Sequence, residues 1–563
     1  MRQNIYIKEP ISRRRSKKTY SPFKLSLLLL LFLLPIALLI LEGSDFTSAL
    51  KYVFGKKNIV IYNTFSVNFD DSIPESFVQK ISDNLGGMEL NGKKRFEVKD
   101  SKADINLTME KDDNSKEILM NELIPVGHIY SLVKGIQLQR MSEYSVYILD
   151  SNYKEFLQDQ YNFESTVLDS YEALVNKLSE NDQNIGLISF TDLDHQVKVL
   201  TLDEVSYLKD SNGSIQIKMY ASVKSKVDDF ILSVLEKNMN GTGEVFDREL
   251  LAKVNMSGVV AIARALAGRI DRSGDNAYPA RSLGGFLSDA DLTHISNEVS
   301  FVPGCTAYSG MSFCAKPQYI DVLTASGVDI VELTGNHNND YGSQYNASTI
   351  EKYKELGMRY FGGGLNTEDA SKILYEEVNG NRIAFVGYNY YDTVYRSLAL
   401  AGDSRAGANL YSSEKLESDI ETARENADIV IITFQFQECY SYPDGDVIYP
   451  ICYKPLSVPD QRGVFKEAID FGADIVVGTQ AHQPQTYELY KDGVIFYGLG
   501  NLYFDQSMWI GTRQGIILSH YFYNGKHLQT EITPTYMEGD LIPRLATEKE
   551  GDLLLELLKE ARD

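Results

Sequence analysis

Polar side chains stand at the ends of several apolar runs in the C-terminal half of this 563-residue sequence. Because the carboxyl ends of parallel strands meet at one edge of an open sheet, these side chains are predicted to converge on one cleft. Asparagine, glutamate, histidine and aspartate suit divalent-metal ligation and, through it, phosphoryl or similar chemistry. The candidate residues are Asn297, Glu298, Asn336, His337, Glu438, Gln480, His482, Asn501 and Asp505.

Each of these residue types also has a plainer interpretation. A histidine at a strand end is more often a hydrogen-bonded loop residue than a ligand. Asp340, three residues after His337, either orients the imidazole ring or caps a helix that begins nearby. Arg264 either adds positive charge for an anionic ligand or is a structural arginine.

The segments that carry these residues alternate between strand and helix patterns over residues 254–540. This alternation predicts an α/β domain with a largely parallel sheet and covering helices. Asn524-Gly525 predicts the turn of an antiparallel pair near its end, and residues 541–563 are predicted to hold a C-terminal helix. The predicted strands are Gly258–Leu266, Asp291–Val299, Val328–Gly335, Arg382–Tyr390, Ala427–Phe436, Ala473–Gln480 and Val494–Phe504.

Residues 58–245 are predicted to form a separate α/β domain that begins with the strand Asn58–Asn63 and ends near the tract NMNGTG. Ser170–Asn181 is predicted as a helix and Lys198–Leu208 as one strand. The segments IPVGHIYSLVKGI and GLISFTDLDHQVKVLTLDEV resemble the hinge strand and closing region of solute-binding proteins of the phosphate-binding type. The alternative is a scaffold that only holds the C-terminal domain away from a membrane.

Residues 25–41 form an apolar run interrupted only by Ser26 and Pro35. Its length is at the short end of what spans a bilayer, so we expect a transmembrane anchor. The basic flank lies entirely in residues 1–24, which predicts a cytoplasmic N-terminus and an extracytoplasmic body. A cleaved signal peptide is the alternative, but the polar lead is long and no clear A-x-A site follows.

The charge distribution argues against nucleic acid as a partner. Residues 1–24 hold eight of the 55 basic residues and one of the 78 acidic residues, so the remaining chain has a net charge of −30. Phosphate binding needs clustered lysine and arginine, which a body this acidic does not provide. The charge instead suits a secreted or surface-exposed protein of the cell membrane.

The four cysteines all follow the predicted anchor, on the side where disulfides persist. The pairing with the shortest loops joins Cys305 to Cys314 and Cys439 to Cys452. A zinc site made of the four thiolates is the alternative, although no C-x-x-C pair is present.

Several motifs resemble the bacterial capsule-synthesis family, also called the poly-γ-glutamate synthesis or CapA family. LTGNHNNDYG resembles its N-N-H-x-x-D-x-G box, DADLTHISNEV its A-D-x-x-x-x-N-L-E segment, and FGGGLNTEDA its G-x-G loop. Residues 471–506 match its G-A-D…G-H-H-P-H…F-D block nearly position for position. The resemblance spans about residues 254–540 and implies a calcineurin-like metallophosphatase fold, with two sheets packed between helices. It also implies a role in poly-γ-glutamate capsule synthesis or export.

The sequence departs from this family at the positions implied to bind metal. Val259 stands where the opening motif has an aspartate, and Gln480 stands where a histidine is expected. The segment FQFQECY keeps Glu438 but offers Gln435 or Gln437 in place of a histidine. Because valine cannot ligate and glutamine is a poor ligand, we expect one weakly bound divalent metal ion or none.

Two functional hypotheses remain open. In the first, the domain binds capsule polymer or a small anionic ligand without catalysis, together with other capsule synthesis or export membrane proteins; Val259 and Gln480 favour it. In the second, it is a metallophosphatase-like hydrolase. The assigned roles are catalysis for His337, Asp340, Glu438 and Arg264, metal ligation for Asn336, His337, His482 and Glu298, and ligand contact for Asn297, Gln480, Asn501 and Asp505.

The membrane topology is directly testable. Residues 1–24 are expected in the cytoplasm and residues 45–563 outside, because the basic flank lies on one side of residues 25–41. Protease added to intact cells should digest the body of the protein. Full protection of the body, with digestion only after lysis, would contradict this orientation.

Overall fold

The computed structural model describes residues 64–562, except 87–88, 91–92, 95, 100–101, 113–114, 225–226, 228, 240–245, 391–395 and 437–460. The predicted anchor at 25–41, the predicted strand at 58–63, Glu438 and the predicted Cys439–Cys452 pair lie outside these residues. Within them, no helix is both long enough and apolar enough to cross a membrane.

A nine-stranded sheet organises the N-terminal half, with the order β4-β1-β5-β13-β6-β10-β8-β9 and β11 paired to β6. Outside this sheet, β2 pairs with β3 and β7 pairs with β12. Four helices accompany this sheet, at Glu75–Gly86, Asn152–Tyr161, Tyr171–Glu180 and Asp229–Met239. The strands are β1 (Phe65–Phe69), β2 (Glu89–Leu90), β3 (Lys93–Lys94), β4 (Phe96–Val98), β5 (Ile105–Thr108), β6 (Lys116–His128), β7 (Gly135–Ile136), β8 (Ser145–Ile148), β9 (Ser165–Val167), β10 (Asn184–Ile188), β11 (Val197–Val199), β12 (Thr201–Leu202) and β13 (Ile215–Val223).

The long strands β6 and β13 hold this sheet together because they pair antiparallel along most of β13. Along β13, side chains alternate between the core and a more exposed face, as expected for a strand with one buried face. The predicted single strand Lys198–Leu208 is wrong. Asp203 and Glu204 have φ of 49° and 71°, so the chain turns there and leaves only the short strands β11 and β12.

Two large sheets organise the C-terminal half, and the short strands β18 and β21 pair with each other outside them. One large sheet has eight strands in the order β17-β16-β15-β14-β27-β28-β29, with β26 on β14, and the other has six in the order β19-β20-β22-β23-β25-β24. The strands are β14 (Leu251–Val260), β15 (Leu292–Asn297), β16 (Ile330–Glu332), β17 (Arg359–Phe361), β18 (Gly363–Gly364), β19 (Leu374–Val378), β20 (Asn381–Tyr390), β21 (Gly407–Ala408), β22 (Ile429–Phe436), β23 (Ile475–Gly478), β24 (Tyr487–Tyr490), β25 (Gly493–Phe496), β26 (Asn501–Tyr503), β27 (Gln514–Tyr523), β28 (Lys526–Met537) and β29 (Pro543–Leu545).

The two C-terminal sheets pack face to face. Met256 and Ile330 of the first sheet and Ile383, Ile431 and Phe496 of the second belong to one buried apolar cluster. Separate apolar clusters join the outer face of each sheet to its helices. The helices of this half are Arg264–Ser273, Gly284–Leu287, Asp321–Ala325, Ser343–Glu355, Thr367–Ala370, Arg396–Ala399, Ser413–Arg424, Gln461–Asp470, Ile510–Arg513 and Glu548–Glu560. The α/β class predicted from the sequence is therefore confirmed.

A buried polar cluster also crosses between the two sheets. Glu332 of β16 is 3.1 Å from His294 Nε2 and accepts a 2.7 Å hydrogen bond from the hydroxyl of Thr479, which follows β23. A carboxylate that is fully removed from water needs such partners, because burial without them costs several kcal/mol. The cluster therefore holds one sheet edge in register with the other.

Three predicted boundaries in the C-terminal half are corrected. The predicted strand Gly258–Leu266 ends at Val260, and a helix begins at Arg264, whose φ of 48° turns the chain away from the sheet. The predicted strand Val494–Phe504 is two strands, separated by Gly500 with φ of 75°. The C-terminal helix covers Glu548–Glu560, and β29 before it belongs to the eight-stranded sheet.

Acid should destabilise this fold through its buried histidines. Burial lowers the pKa of His520 to about 3, and its Nδ1 is 2.8 Å from the hydroxyl of Thr530. The unfolded chain binds a proton on this ring below about pH 6.5, whereas the folded chain does not, so stability falls as the pH falls. His520→Gln should reduce the slope of unfolding free energy against pH, between pH 6 and 4.5, by about 1.4 kcal/mol per pH unit.

Phe522→Leu is the control for this experiment, because it perturbs the same core without removing a titratable group. It should lower the free energy of unfolding at every pH and leave the slope unchanged. Equal slopes in the wild type and His520→Gln, measured by urea unfolding across that pH range, would contradict the prediction.

Candidate ligand-binding site

A cavity of about 760 Å³ opens at the carboxyl ends of strands from both C-terminal sheets. Its lining comes from loops that follow β14, β16, β23 and β26, and from residues 307–313. Parallel strands place their carboxyl ends along one edge, which explains why distant segments meet here. Six of the sequence-predicted residues line it: Arg264, Asn336, His337, Gln480, His482 and Asp505.

The side-chain amide of Gln435, near the end of β22, lies at the centre of the buried part of this site. Its Nε2, which has two hydrogens, shares them among three acceptors: Asn336 Oδ1 at 2.9 Å, Glu298 Oε1 at 3.2 Å and Gln480 Oε1. Its Oε1 accepts from Asn389 Nδ2 at 2.7 Å. Gln435 therefore connects residues of the two sheets through a network composed mainly of carboxamides.

The hydrogen bonds of Gln435 bear on whether the described residues could form the metal centre that the family resemblance implies. Two of the four predicted metal ligands, Asn336 and Glu298, already accept hydrogen bonds from Gln435, while His337 and His482 are each held through Nδ1, by Asp340 and by Asn501. Within the described part of the chain, no group of three or more His, Cys, Asp or Glu side chains is placed to hold a metal ion. The described donor set does not fit such a centre.

His337 is oriented by Asp340. The Nδ1 atom of His337 is 2.7 Å from Asp340 Oδ2, which also accepts a 2.7 Å hydrogen bond from the backbone N–H of Phe313. The helix that follows begins after Gly342 and has no side-chain cap. Of the two interpretations of Asp340, the structure therefore shows the one in which it orients the imidazole ring.

Arg264 and Asp505 form an ion pair at the wall of the cavity. Arg264 Nε donates to Asp505 Oδ1 at 2.9 Å, and the backbone N–H of Ala265 donates to Oδ2 at 2.8 Å. The guanidinium lies over the rings of Phe313, at 4.8 Å, and Phe504, at 4.7 Å. Because the pair neutralises both charges and fixes the start of the helix at Arg264, both residues have a structural role here.

His482 is held by Asn501 in a similar way. Its Nδ1 is 2.9 Å from Asn501 Oδ1, and its ring packs against Phe504 at 5.2 Å. The predicted ligand contact Asn297 lies deeper, because its side chain is fully buried and donates to Tyr353 and to the carbonyl of Val299. Asn297, Glu298 and Asn501 thus support the cavity and are not among the residues that line it.

The sequence of this domain matches a known family. Residues 253–506 match the model described as "Bacterial capsule synthesis protein PGA_cap". The C-terminal domain, called the capsule-synthesis domain below, is similar to the bacterial capsule synthesis protein family over these residues. A "Capsule biosynthesis protein CapA" of Bacillus anthracis is 30% identical over 224 residues, which are 39% of this chain and 50% of that protein. A "PGA biosynthesis protein CapA" of Bacillus subtilis (strain 168) is 29% identical over 216 residues, which are 38% of this chain and 52% of that protein.

The chain spans about half the length of the curated relatives that it matches. Among solved structures, a hypothetical protein from Thermus thermophilus aligns with 15% identity and a TM-score of 0.31. That alignment covers 50% of this chain and 98% of the other.

The departure at Val259 has a structural counterpart in the capsule-synthesis domain. Val259 is fully buried at the end of β14, in the apolar cluster between the sheet and its helices. An aspartate there would need polar partners or a cation to offset its burial. Val259, a member of this apolar cluster, offers no carboxylate to such a site.

Phe313 is a site residue of the capsule-synthesis domain that sequence reasoning missed. It lies in the loop closed by the Cys305–Cys314 disulfide, which confirms that predicted pair and excludes these two thiols from the alternative zinc site. Its ring centroid is 4.1 Å from that of His337. The short cysteine spacing was the available signal, because it predicts a constrained loop beside the site.

The disulfide loop also shapes the rim of the cavity. A hydrogen bond with Tyr308 of this loop raises the pKa of Tyr341 to about 12, so the phenol of Tyr341 stays neutral at physiological pH. Met311 and Met508 line the cavity with 71% and 81% of their surface exposed. These residues give the rim apolar surface above a floor of carboxamide and imidazole groups.

Replacing Phe313 should destabilise the capsule-synthesis domain. Phe313→Ala removes a 4%-exposed ring that packs against His337 and Arg264, and is expected to cost about 3 kcal/mol of unfolding free energy. Met311→Ala in the same loop should change it by about 0.5 kcal/mol or less, because Met311 is exposed. Urea unfolding that shows equal effects for both variants would contradict this role for Phe313.

Proposed function

We propose that this chain is a membrane-anchored, extracytoplasmic component of capsule or poly-γ-glutamate synthesis. In this proposal, the cavity of the C-terminal domain binds the acidic polymer during synthesis or export and does not hydrolyse phosphate esters. The observation that carries it is the Gln435 amide, which donates hydrogen bonds to Asn336, Glu298 and Gln480 where a metallophosphatase would need ligands directed at an ion. The family match and the names of the curated relatives support the link to capsule synthesis.

The chemistry of the cavity matches a polymer of glutamate linked by amide bonds. Arg272 lines its mouth, is exposed, and has no carboxylate partner within ion-pairing distance in the described chain, so it can bind a polymer carboxylate. The carboxamides of Gln480 and Asn336 offer the donors and acceptors that peptide groups require. Met311 and Met508 offer apolar surface to the methylene groups between them.

The proposal also includes the fold of each domain and the membrane anchor. Two face-to-face sheets with helices outside support a calcineurin-like metallophosphatase fold for residues 254–540. The long strands β6 and β13 support a solute-binding-like module within residues 58–245. In this arrangement, residues 25–41 anchor the chain in the cell membrane, with residues 1–24 in the cytoplasm.

The alternative function is a metal-dependent phosphoesterase. The His337–Asp340 pair favours it, because a carboxylate that orients a histidine is common where the other ring nitrogen contacts a metal or a reacting group. Polymer binding predicts no hydrolysis of phosphate esters and a role for Arg272 in affinity. The phosphoesterase predicts metal-dependent hydrolysis and gives Arg272 no such role.

The proposal is tested by measuring polymer binding to the full-length protein in detergent. Poly-γ-glutamate should bind, and Arg272→Gln should weaken binding by about tenfold, the effect of losing one charge-assisted hydrogen bond of roughly 1.4 kcal/mol. Arg269→Gln is the matched control, because Arg269 lies on the same helix but does not line the cavity. Equal losses in both variants, or no binding by the wild type, would contradict polymer binding at this site.

The same protein should show no metal-dependent turnover of p-nitrophenyl phosphate in added Mn²⁺. The reason is that Gln435 donates hydrogen bonds to Asn336 Oδ1 and Glu298 Oε1, which a metal centre would direct at an ion. Robust hydrolysis that is lost in His337→Ala would establish the hydrolase instead.

A further inference from the structure

A second cavity lies between the N-terminal and C-terminal halves of the chain. It has a volume of about 500 Å³, a size typical of small-molecule sites. One wall comes from residues 129–134 and 198–209, and the other mainly from residues 529–534 and 545–555. It shares no lining residue with the candidate polymer site. Any occupant would contact both halves at once.

Direct contacts between the halves define the walls of this interdomain cavity. Gln529 Oε1 accepts a 2.6 Å hydrogen bond from the backbone N–H of Val199, so the strands β11 and β28 are joined beside it. Two ion pairs also cross between the halves: Lys134 with Asp552 at 2.6 Å, and Lys559 with Asp182 at 3.2 Å. These contacts make the cavity a formed feature of the interface.

Lys198 brings a positive charge into the interdomain cavity without a matching anion. Its ammonium donates to the carbonyl oxygen of Ser131, and no carboxylate of the described chain lies within ion-pairing distance of it. Burial, together with the positive charges of Lys134 and Lys559, lowers the pKa of Lys198 to about 8. The acidic groups that face it, Asp182 and Glu531, oppose this shift. Asp182 is already paired with Lys559.

Glu531 brings a negative charge into the same cavity. It is exposed there, accepts a 3.3 Å hydrogen bond from the hydroxyl of Tyr521, and has no lysine or arginine partner within ion-pairing distance in the described chain. The cavity therefore presents an ammonium and a carboxylate that do not pair with each other. Because burial of Lys198 favours an anionic partner and Glu531 has no cationic partner in the described chain, a ligand that carries both charges can pair with both residues.

We propose that the interdomain cavity binds a zwitterionic ligand of amino-acid size, with its carboxylate on Lys198 and its ammonium on Glu531. The ligand would bridge the two halves, because Lys198 belongs to the N-terminal half and Glu531 to the C-terminal half. This site is separate from the proposed polymer site, and the two sites have no lining residue in common.

The test is calorimetry on the full-length protein with L-glutamate as the probe. The wild type should bind it, and Lys198→Met should lower the affinity by about tenfold or more, because the charge is lost while the length is kept. Lys198→Arg should restore most of the affinity. Lys415→Met is the matched control, a half-buried lysine far from the cavity that is paired with Asp419, and it should bind as the wild type does.

The number of protons taken up when the ligand binds is a second measurement, and it would not change if Lys198 had only a structural role. At pH 8.5 the Lys198 amine is largely neutral, and a bound carboxylate favours its protonated form, so binding should take up protons. Calorimetry in two buffers of different ionisation enthalpy should detect this uptake in the wild type and not in Lys198→Arg. Uptake that is equal in the two proteins would overturn the role of Lys198.

Glutarate, which has no ammonium group, tests the proposed contact with Glu531 separately from the proposed contact with Lys198. It should bind less tightly than glutamate to the wild type, and Glu531→Gln should remove that difference. Glutarate binding as tightly as glutamate, or no binding of glutamate to the wild type, would overturn the proposal. Arg269→Gln should leave glutamate binding unchanged, since Arg269 lines neither of the two cavities.

Discussion

The hydrogen bonds of the Gln435 side chain are the interaction on which the candidate site depends. Its amide nitrogen donates to oxygens of Asn336 and Glu298 from one sheet and Gln480 from the other, while Asn389 fixes its orientation. A neutral donor thus satisfies acceptors that a metallophosphatase would direct at a cation. The network keeps the cavity polar and holds the two sheet edges together. On this chemistry rests the proposal that the site binds polymer and does not hydrolyse phosphate esters.

The rest of the site is built outward from this network. The Glu332–His294–Thr479 cluster holds the same two sheets together beneath it, and the disulfide loop places Phe313 above it. Phe313 in turn contacts both His337 and Arg264. Few of these side chains are exposed, so the site presents a preformed surface whose chemistry is set mainly by carboxamides and imidazoles. Such a surface suits a polymer that offers amides and carboxylates in repeat.

Much of the fold could be predicted because the apolar runs of the C-terminal half are long and regular. The ends of those runs were less predictable: Arg264 and Gly500 adopt positive φ, and each breaks a strand that its apolar neighbours would extend. Gln435 was visible in the sequence as one of two glutamines, but its central place depends on two sheets meeting and could not be read from either strand alone. For Asp340, the absent side-chain cap decided between the two interpretations. No sequence motif predicted the cavity that contains Lys198 or the contact of the Phe313 ring with His337.

The central claim is that the Gln435 network replaces a metal centre, and the metal content of the protein tests it most directly. Full-length protein exposed to Mn²⁺, Zn²⁺ or Fe²⁺ and then desalted should contain far less than one metal ion per chain by inductively coupled plasma mass spectrometry. This account predicts the same low content in His337→Ala and in the wild type, because the described residues hold no group of three or more His, Cys, Asp or Glu side chains placed for a metal ion. One or more ions per wild-type chain, lost in His337→Ala, would contradict it.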